Sequence, residues 1–154
     1  MEEYREFAER LEEALVNSWT RTTSSDPENW DEENPAYGQC AVTAAVVQDY
    51  LGGRIEWRKI LIEDNSEFED YFDEEERVSH YINRIDGHNM DFTEEQFPYD
   101  HSVLFIPEEY HEKMEGFERV RDYLLFNDST YRRYAALKDR VDTYLEKGRL
   151  LELT

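Results

Sequence analysis

Apolar and polar residues recur with different periods along this chain, and each change of period marks an element. Tyr4, Phe7, Ala8, Leu11 and Leu15 fall at helical spacing with charges on the opposite face, which predicts a first helix from residue 2 to about 17. The stretch from Trp19 to Tyr37 has no period and is rich in Ser, Thr, Asp, Asn and Pro, yet it holds Trp19, Trp30 and Tyr37. It reads as an ordered loop that lays aromatics over the core, because a linker has no need of them. A second helix starts near Cys40 and stops at Gly52-Gly53, where glycine takes the left-handed conformation that closes a helix. Its first two turns, with Ala41, Val42, Ala44, Ala45, Val46 and Val47, are apolar nearly all round, so this helix belongs in the middle of a domain.

The period then shortens to two. Arg54 to Glu63 is a β-type run with Ile55, Trp57 and Leu61 on one parity and Ile60 and Ile62 on the other. Dense acid interrupts it over residues 64–76, which read as a solvated loop or short helix. Arg77 to Ile85 and His88 to Phe92 are two strands flanking Asp86-Gly87, a strong hairpin signal. "TEEQF" carries a helix-start signature with Thr93 as its cap, and His101 to Ile106 suits a strand ended by Pro107. Phe117 to Leu125 and Thr130 to Glu146 read as helices, the second stopped by Gly148. The whole predicts one α+β domain over residues 1–154: a buried, cysteine-bearing helix packed on an antiparallel sheet, with helices from both ends of the chain flanking it.

Charge narrows the partners. The 38 acidic against 17 basic residues give a net charge of -21, a surface that repels nucleic acid. Thirteen of the basic residues are Arg and only four Lys, an acid-rich, lysine-poor balance suited to a cytosol of concentrated salt, where screening shortens self-repulsion. The start of the chain is acidic and amphipathic, unlike an export signal, and the longest apolar run, Cys40 to Val47, is far too short to span a bilayer. A cytoplasmic protein with a reduced thiol and no membrane partner is expected.

That thiol is Cys40, the only cysteine, and it stands where a glycine-bearing loop enters the buried helix. Unsatisfied backbone N–H groups at a helix start favour negative charge on a sulfur placed there. His80 and Asp91 complete a nucleophile, base and orienter set on arithmetic alone. With Arg84 to Gly87 as loop, position 80 lies opposite 91; with Asp86-Gly87 alone as turn, Asp91 faces Ile82 and is diagonal to His80. Either register puts both side chains on one face, whereas a one-residue slip separates them across the sheet. The Cys40 amide and the Gln39 side chain are candidate oxyanion donors, Gly38 keeps the approach open for substrate, and Asn83 and Gln96 are candidate polar supports near the histidine. Each has a plainer alternative: a packed small residue, a core histidine, and an aspartate that merely caps the turn at Thr93. No CxxC, HxxxH or HExxH spacing occurs, so neither a metal nor a cofactor is expected.

Several of these residues sit in recognisable company. "SSDPENWDEENPAYGQCAVTAAVVQDYLGGRI", "HYIN", "DG" and "DFTEEQF" resemble the bacterial YunG-like family of small uncharacterised proteins, from about Trp19 to Phe97, with a weaker likeness through "RYAALKDRV". That family is similar to papain-like folds of the transglutaminase and NlpC type, in which a cysteine at a helix start faces a histidine and an aspartate on successive strands. The resemblance implies those roles for Cys40, His80 and Asp91. The acidic segment between Asp64 and Arg77 and the stretch from Pro107 to Asn127 depart from the family pattern by their length.

Two functions compete. A cysteine hydrolase or acyltransferase would act on a peptide, small amide or thioester through a Cys40 acyl-enzyme. The alternative is a binding or regulatory domain on the same fold, with Cys40 and His80 kept for packing. An acidic decoy of nucleic acid is a third, weaker reading of the same charge.

Overall fold

The computed structural model describes residues 2–62, 78–94, 101–105 and 117–152. The acidic stretch 64–76, Gln96 and most of the helix expected after Thr93 lie outside the described residues. Helix α1 spans Glu2–Ser18 and buries Leu11, Ala14 and Leu15. The loop after it is ordered as its aromatics foretell. Trp19 Nε1 donates to Thr43 Oγ1 at 2.8 Å, Trp30 Nε1 to Pro35 O at 3.0 Å, and Tyr37 Oη to Asp26 Oδ2 at 2.6 Å.

Helix α2 spans Cys40–Leu51, and every residue from Val42 to Val47 is buried, as an all-round apolar helix requires. Gly52 (φ +76°) ends it. Gly53 (φ +75°) lets the backbone pass where a Cβ would lie 2.4 Å from Arg84 O.

Strands β1 (Arg54–Ile62), β2 (Val78–Ile85), β3 (His88–Met90) and β4 (His101–Phe105) form an antiparallel sheet in the order β3-β2-β1-β4. Ile85 pairs with His88, and Asp86 and Gly87 both have positive φ, so the hairpin closes through a two-residue turn. This selects the second of the two registers: Asn83 pairs with Met90, and one step further Asp91 comes beside Ile82, diagonal to His80.

Helix α2 runs alongside β2 in the same direction. Cys40 meets His80, the Ala44 carbonyl meets Asn83, Val47 shares a cluster with Ile85, and Gly53 closes on Arg84. Helices α3 (Val120–Phe126) and α4 (Asp128–Glu152) complete the α+β architecture. Arg121 bonds Ala45 O and Gln48 Oε1, each at 3.0 Å, and fastens α3 to α2. Leu137 and Val141 carry α4 into the core beside Leu11, Leu15 and Val46.

Two helix bounds differ from the sequence pattern. α3 begins at Val120 and not at Phe117, because Arg119 is extended and its guanidinium clasps the Asp122 carboxylate at the helix start. α4 begins at Asp128, where the Asn127 side chain accepts from Thr130 N at 3.0 Å, and it continues through Gly148 to Glu152. An interior glycine costs a helix only about 1 kcal/mol relative to alanine, which an otherwise regular helix tolerates. Among the described residues, no helix is long and apolar enough to cross a membrane.

Candidate functional site

Cys40 is the first residue of α2, and the loop before it is fixed by bonds to its own chain. Ser25 N donates to Gly38 O at 2.9 Å and Ser24 Oγ to Tyr37 O at 2.9 Å. Gly38 has φ +71°, and a Cβ on it would lie 2.3 Å from Ser24 Oγ. The glycine therefore admits the chain's own Ser24–Ser25 segment, and it also lines the cleft beside Cys40. Gln39 is wholly buried, and its Nε2 donates to Thr20 O at 3.0 Å. Its side chain is an anchor for the loop, so of the two candidate oxyanion donors the Cys40 amide is the one at the helix start with no carbonyl a turn behind it.

His80 stands on β2 opposite Arg58, wholly buried. Its Nε2 and Asp91 Oδ2 are 2.6 Å apart. The other oxygen of Asp91 accepts from Thr93 N at 3.2 Å and Thr93 Oγ1 at 3.3 Å. Asp91 thus makes both contacts that its position allows: one oxygen closes the turn at Thr93, and the other lies against the imidazole.

Cys40 lies close enough to His80 for its sulfur to act on the basicity of the imidazole. Burial alone would lower the basicity of His80. The bond to Asp91, the sulfur of Cys40 and the charges of both outweigh it and push the imidazole pKa up to about 9. The structure therefore brings Cys40, His80 and Asp91 together. Asn83 stands one step removed: its Nδ2 donates to Ala44 O at 2.9 Å, pinning β2 to α2 one turn after Cys40.

Two further residues belong to this neighbourhood that spacing did not single out. Tyr81 lines the same cleft as Cys40, and its pKa is raised by burial and then by the charges of Cys40 and Tyr123, which keeps the phenol neutral. Arg133 of α4 donates from Nη2 to Thr130 Oγ1 at 3.1 Å, while its buried Nη1 has no hydrogen-bond partner. Burial lowers the Arg133 pKa, and the charge of Cys40 is what works against that lowering. In a chain with 38 acidic residues, an arginine with no acidic partner among the described residues, whose charge is felt by the cysteine, is a notable placement. Both residues occur in stretches that carried the family resemblance, "HYIN" and "RYAALKDRV".

Beside Cys40 opens a cleft of about 630 Å³, bounded among the described residues by Ser25, Gly38 and Ala41 on the α2 side and by Tyr81, Phe117, Tyr123, Leu124 and Phe126 across from it, with Asn127, Asp128 and Thr130 at its edge. Its rings are not the tryptophans. Trp19 and Trp57 are buried, and Trp30 packs within the loop under the Arg21 guanidinium.

Comparison with known proteins places these features in a family. The chain is similar to "Uncharacterized protein YunG" of Bacillus subtilis (strain 168), 38% identical over 99 residues that make up 64% of this chain and 70% of that protein. No solved structure matches it. The model of the YunG protein family matches residues 8–146, which takes in α2, the whole sheet and most of α4, and the chain belongs to that family.

Proposed function

We propose that this protein is a papain-like cysteine hydrolase or acyltransferase that attacks an amide or thioester through Cys40, with His80 and Asp91 as its triad partners. The observation that carries the reading is the bond between Asp91 and a buried His80, with Cys40 at the start of α2 near enough to act on that imidazole. His80, oriented by the bond between its Nε2 and Asp91, is the base that exchanges a proton with the sulfur. Cys40 Sγ, its proton on His80, adds to the carbonyl carbon of the substrate. The oxyanion so formed is met by the Cys40 N–H at the helix start. Collapse breaks the bond to the leaving amine or thiol, which takes the proton from His80 and departs, leaving a thioester on Cys40. Water, or a second nucleophile, gives a proton back to His80, attacks that thioester and frees the sulfur.

Asp91 keeps the imidazole in one orientation throughout. The enzyme works in the cytoplasm, where a thiol stays reduced.

The test is acyl capture. Incubated with phenyl thioacetate and measured by intact mass, the wild-type chain gains one acetyl group on Cys40, and hydroxylamine removes it. Cys40→Ala gains none and His80→Ala acquires it at least a hundredfold more slowly. Equal acetylation of the wild type and His80→Ala would refute the proposed chemistry.

A further inference from the structure

The cleft beside Cys40 has a lining out of keeping with the rest of the molecule. Phe126 is 80% exposed in a chain whose composition is rich in surface charge. Phe117 meets Phe126 edge-on at 5.4 Å and Tyr123 edge-on at 5.8 Å, so these rings form one wall with Tyr81 behind them. A volume of about 630 Å³ lies within the size of small-molecule and peptide side-chain sites, and aromatic walls are the usual lining of such sites. An exposed phenylalanine that contributes little to the fold, set in a ring wall next to a thiol, points to an apolar ligand.

We infer that this cleft is the acyl-side subsite of the proposed enzyme, and that it takes a bulky apolar or aromatic side chain carried by a neutral or cationic peptide. The inference rests on the proposed role of Cys40. Cys40 lines the cleft, and His80 is wholly buried next to it in the fold. The acyl portion is the part of the substrate that stays bonded to Cys40, so its side chain is the part that the cleft receives. The charge of the ligand follows from the net charge of -21 and from Asp128 at the edge, which oppose an anion before contact is made.

Three N-acetyl chloromethyl ketones, built on phenylalanine, alanine and glutamate, test this directly. In each the Cys40 sulfur bonds to the methylene carbon and chloride leaves. The phenylalanine probe is expected to inactivate Cys40 at least about tenfold faster than the alanine probe, and the glutamate probe slowest of the three. Phe126→Ser, at a position exposed enough to leave folding intact, is expected to remove most of the phenylalanine preference, read as the ratio of the phenylalanine to the alanine rate within that variant. Equal rates for the three probes, a fastest glutamate probe, or an unchanged preference in Phe126→Ser would overturn the subsite while leaving the nucleophile in place. Wild-type Cys40 that resists iodoacetamide as well as all three probes would overturn both.

Discussion

The two ends of α2 are built from different materials. From Val46 to Leu51 the inner face of the helix lies among Leu11, Leu15, Ile85, Leu137 and Val141, where burial is apolar and non-directional, and its directional bonds, at Gln48 and Asp49, lie off that face. At its start, Gln39, Thr43, Thr23, Ser24 and His80 are just as buried, but each is tied by a directional bond: to Thr20 O, Trp19 Nε1, Thr20 O, Tyr37 O and Asp91. Apolar packing holds a helix in place within the tolerance of side-chain repacking, whereas a bonded polar network fixes atoms relative to one another. The difference teaches that one end of α2 maintains the fold and the other positions a sulfur.

Substitutions at the two ends should therefore separate stability from reactivity. Leu137→Ala removes a fully buried side chain from the apolar end and is expected to lower stability by about 3 kcal/mol in urea unfolding, while the folded protein keeps its rate of Cys40 alkylation. Asn83→Ala removes a single bond between β2 and α2 and is expected to cost only about 1–2 kcal/mol, yet to slow alkylation several-fold because the spacing of His80 and Cys40 loosens. A slowed Leu137→Ala or an unaffected Asn83→Ala would erase the distinction between the ends.

The pH dependence sharpens it further. His80 has a folded-state pKa raised from 6.5 to about 9, so its proton is bound more tightly in the folded chain than in the unfolded one. Its contribution to stability is complete below about pH 6.5 and is lost as the pH climbs through 9. The urea midpoint is expected to fall across that window in the wild type and to fall less in His80→Gln. The smallest effect is that of salt on the shared surface. Screening of 38 carboxylates should raise the melting temperature of the wild type from low to molar KCl, and equally so in Leu137→Ala and Asn83→Ala, since the charges involved belong to neither end.

How much of this was legible beforehand follows the same division. The burial of α2 could be read from Ala41 to Val47, because a helix without a polar face has few places to go. The pairing of His80 with Asp91 was legible too, since strand parity links their positions and the Asp86-Gly87 turn leaves few registers. The polar end was harder. Gln39 looks like a donor for substrate until its amide is seen bonded to Thr20, a carbonyl nineteen residues back in a loop that has no period to read. Gly38 owes its place to Ser24, a contact equally hidden from local pattern. Arg133 reaches the neighbourhood of Cys40 from α4, and only the packing of distant helices reveals it. Gly148 looked like a stop because glycine ends many helices, but the residues around it keep the helix going.

The most direct measurement of the central claim is the rate of Cys40 alkylation by iodoacetamide between pH 5 and 9 in the wild type, His80→Ala and Asp91→Asn, with stability recorded for each. The account predicts rapid labelling of the wild type at neutral pH, a loss of at least tenfold in His80→Ala and a smaller loss in Asp91→Asn, which keeps the bond to the imidazole but not the charge. Three superimposable rate profiles, with all chains folded, would contradict it and leave Cys40 as a packed residue beside an unrelated histidine.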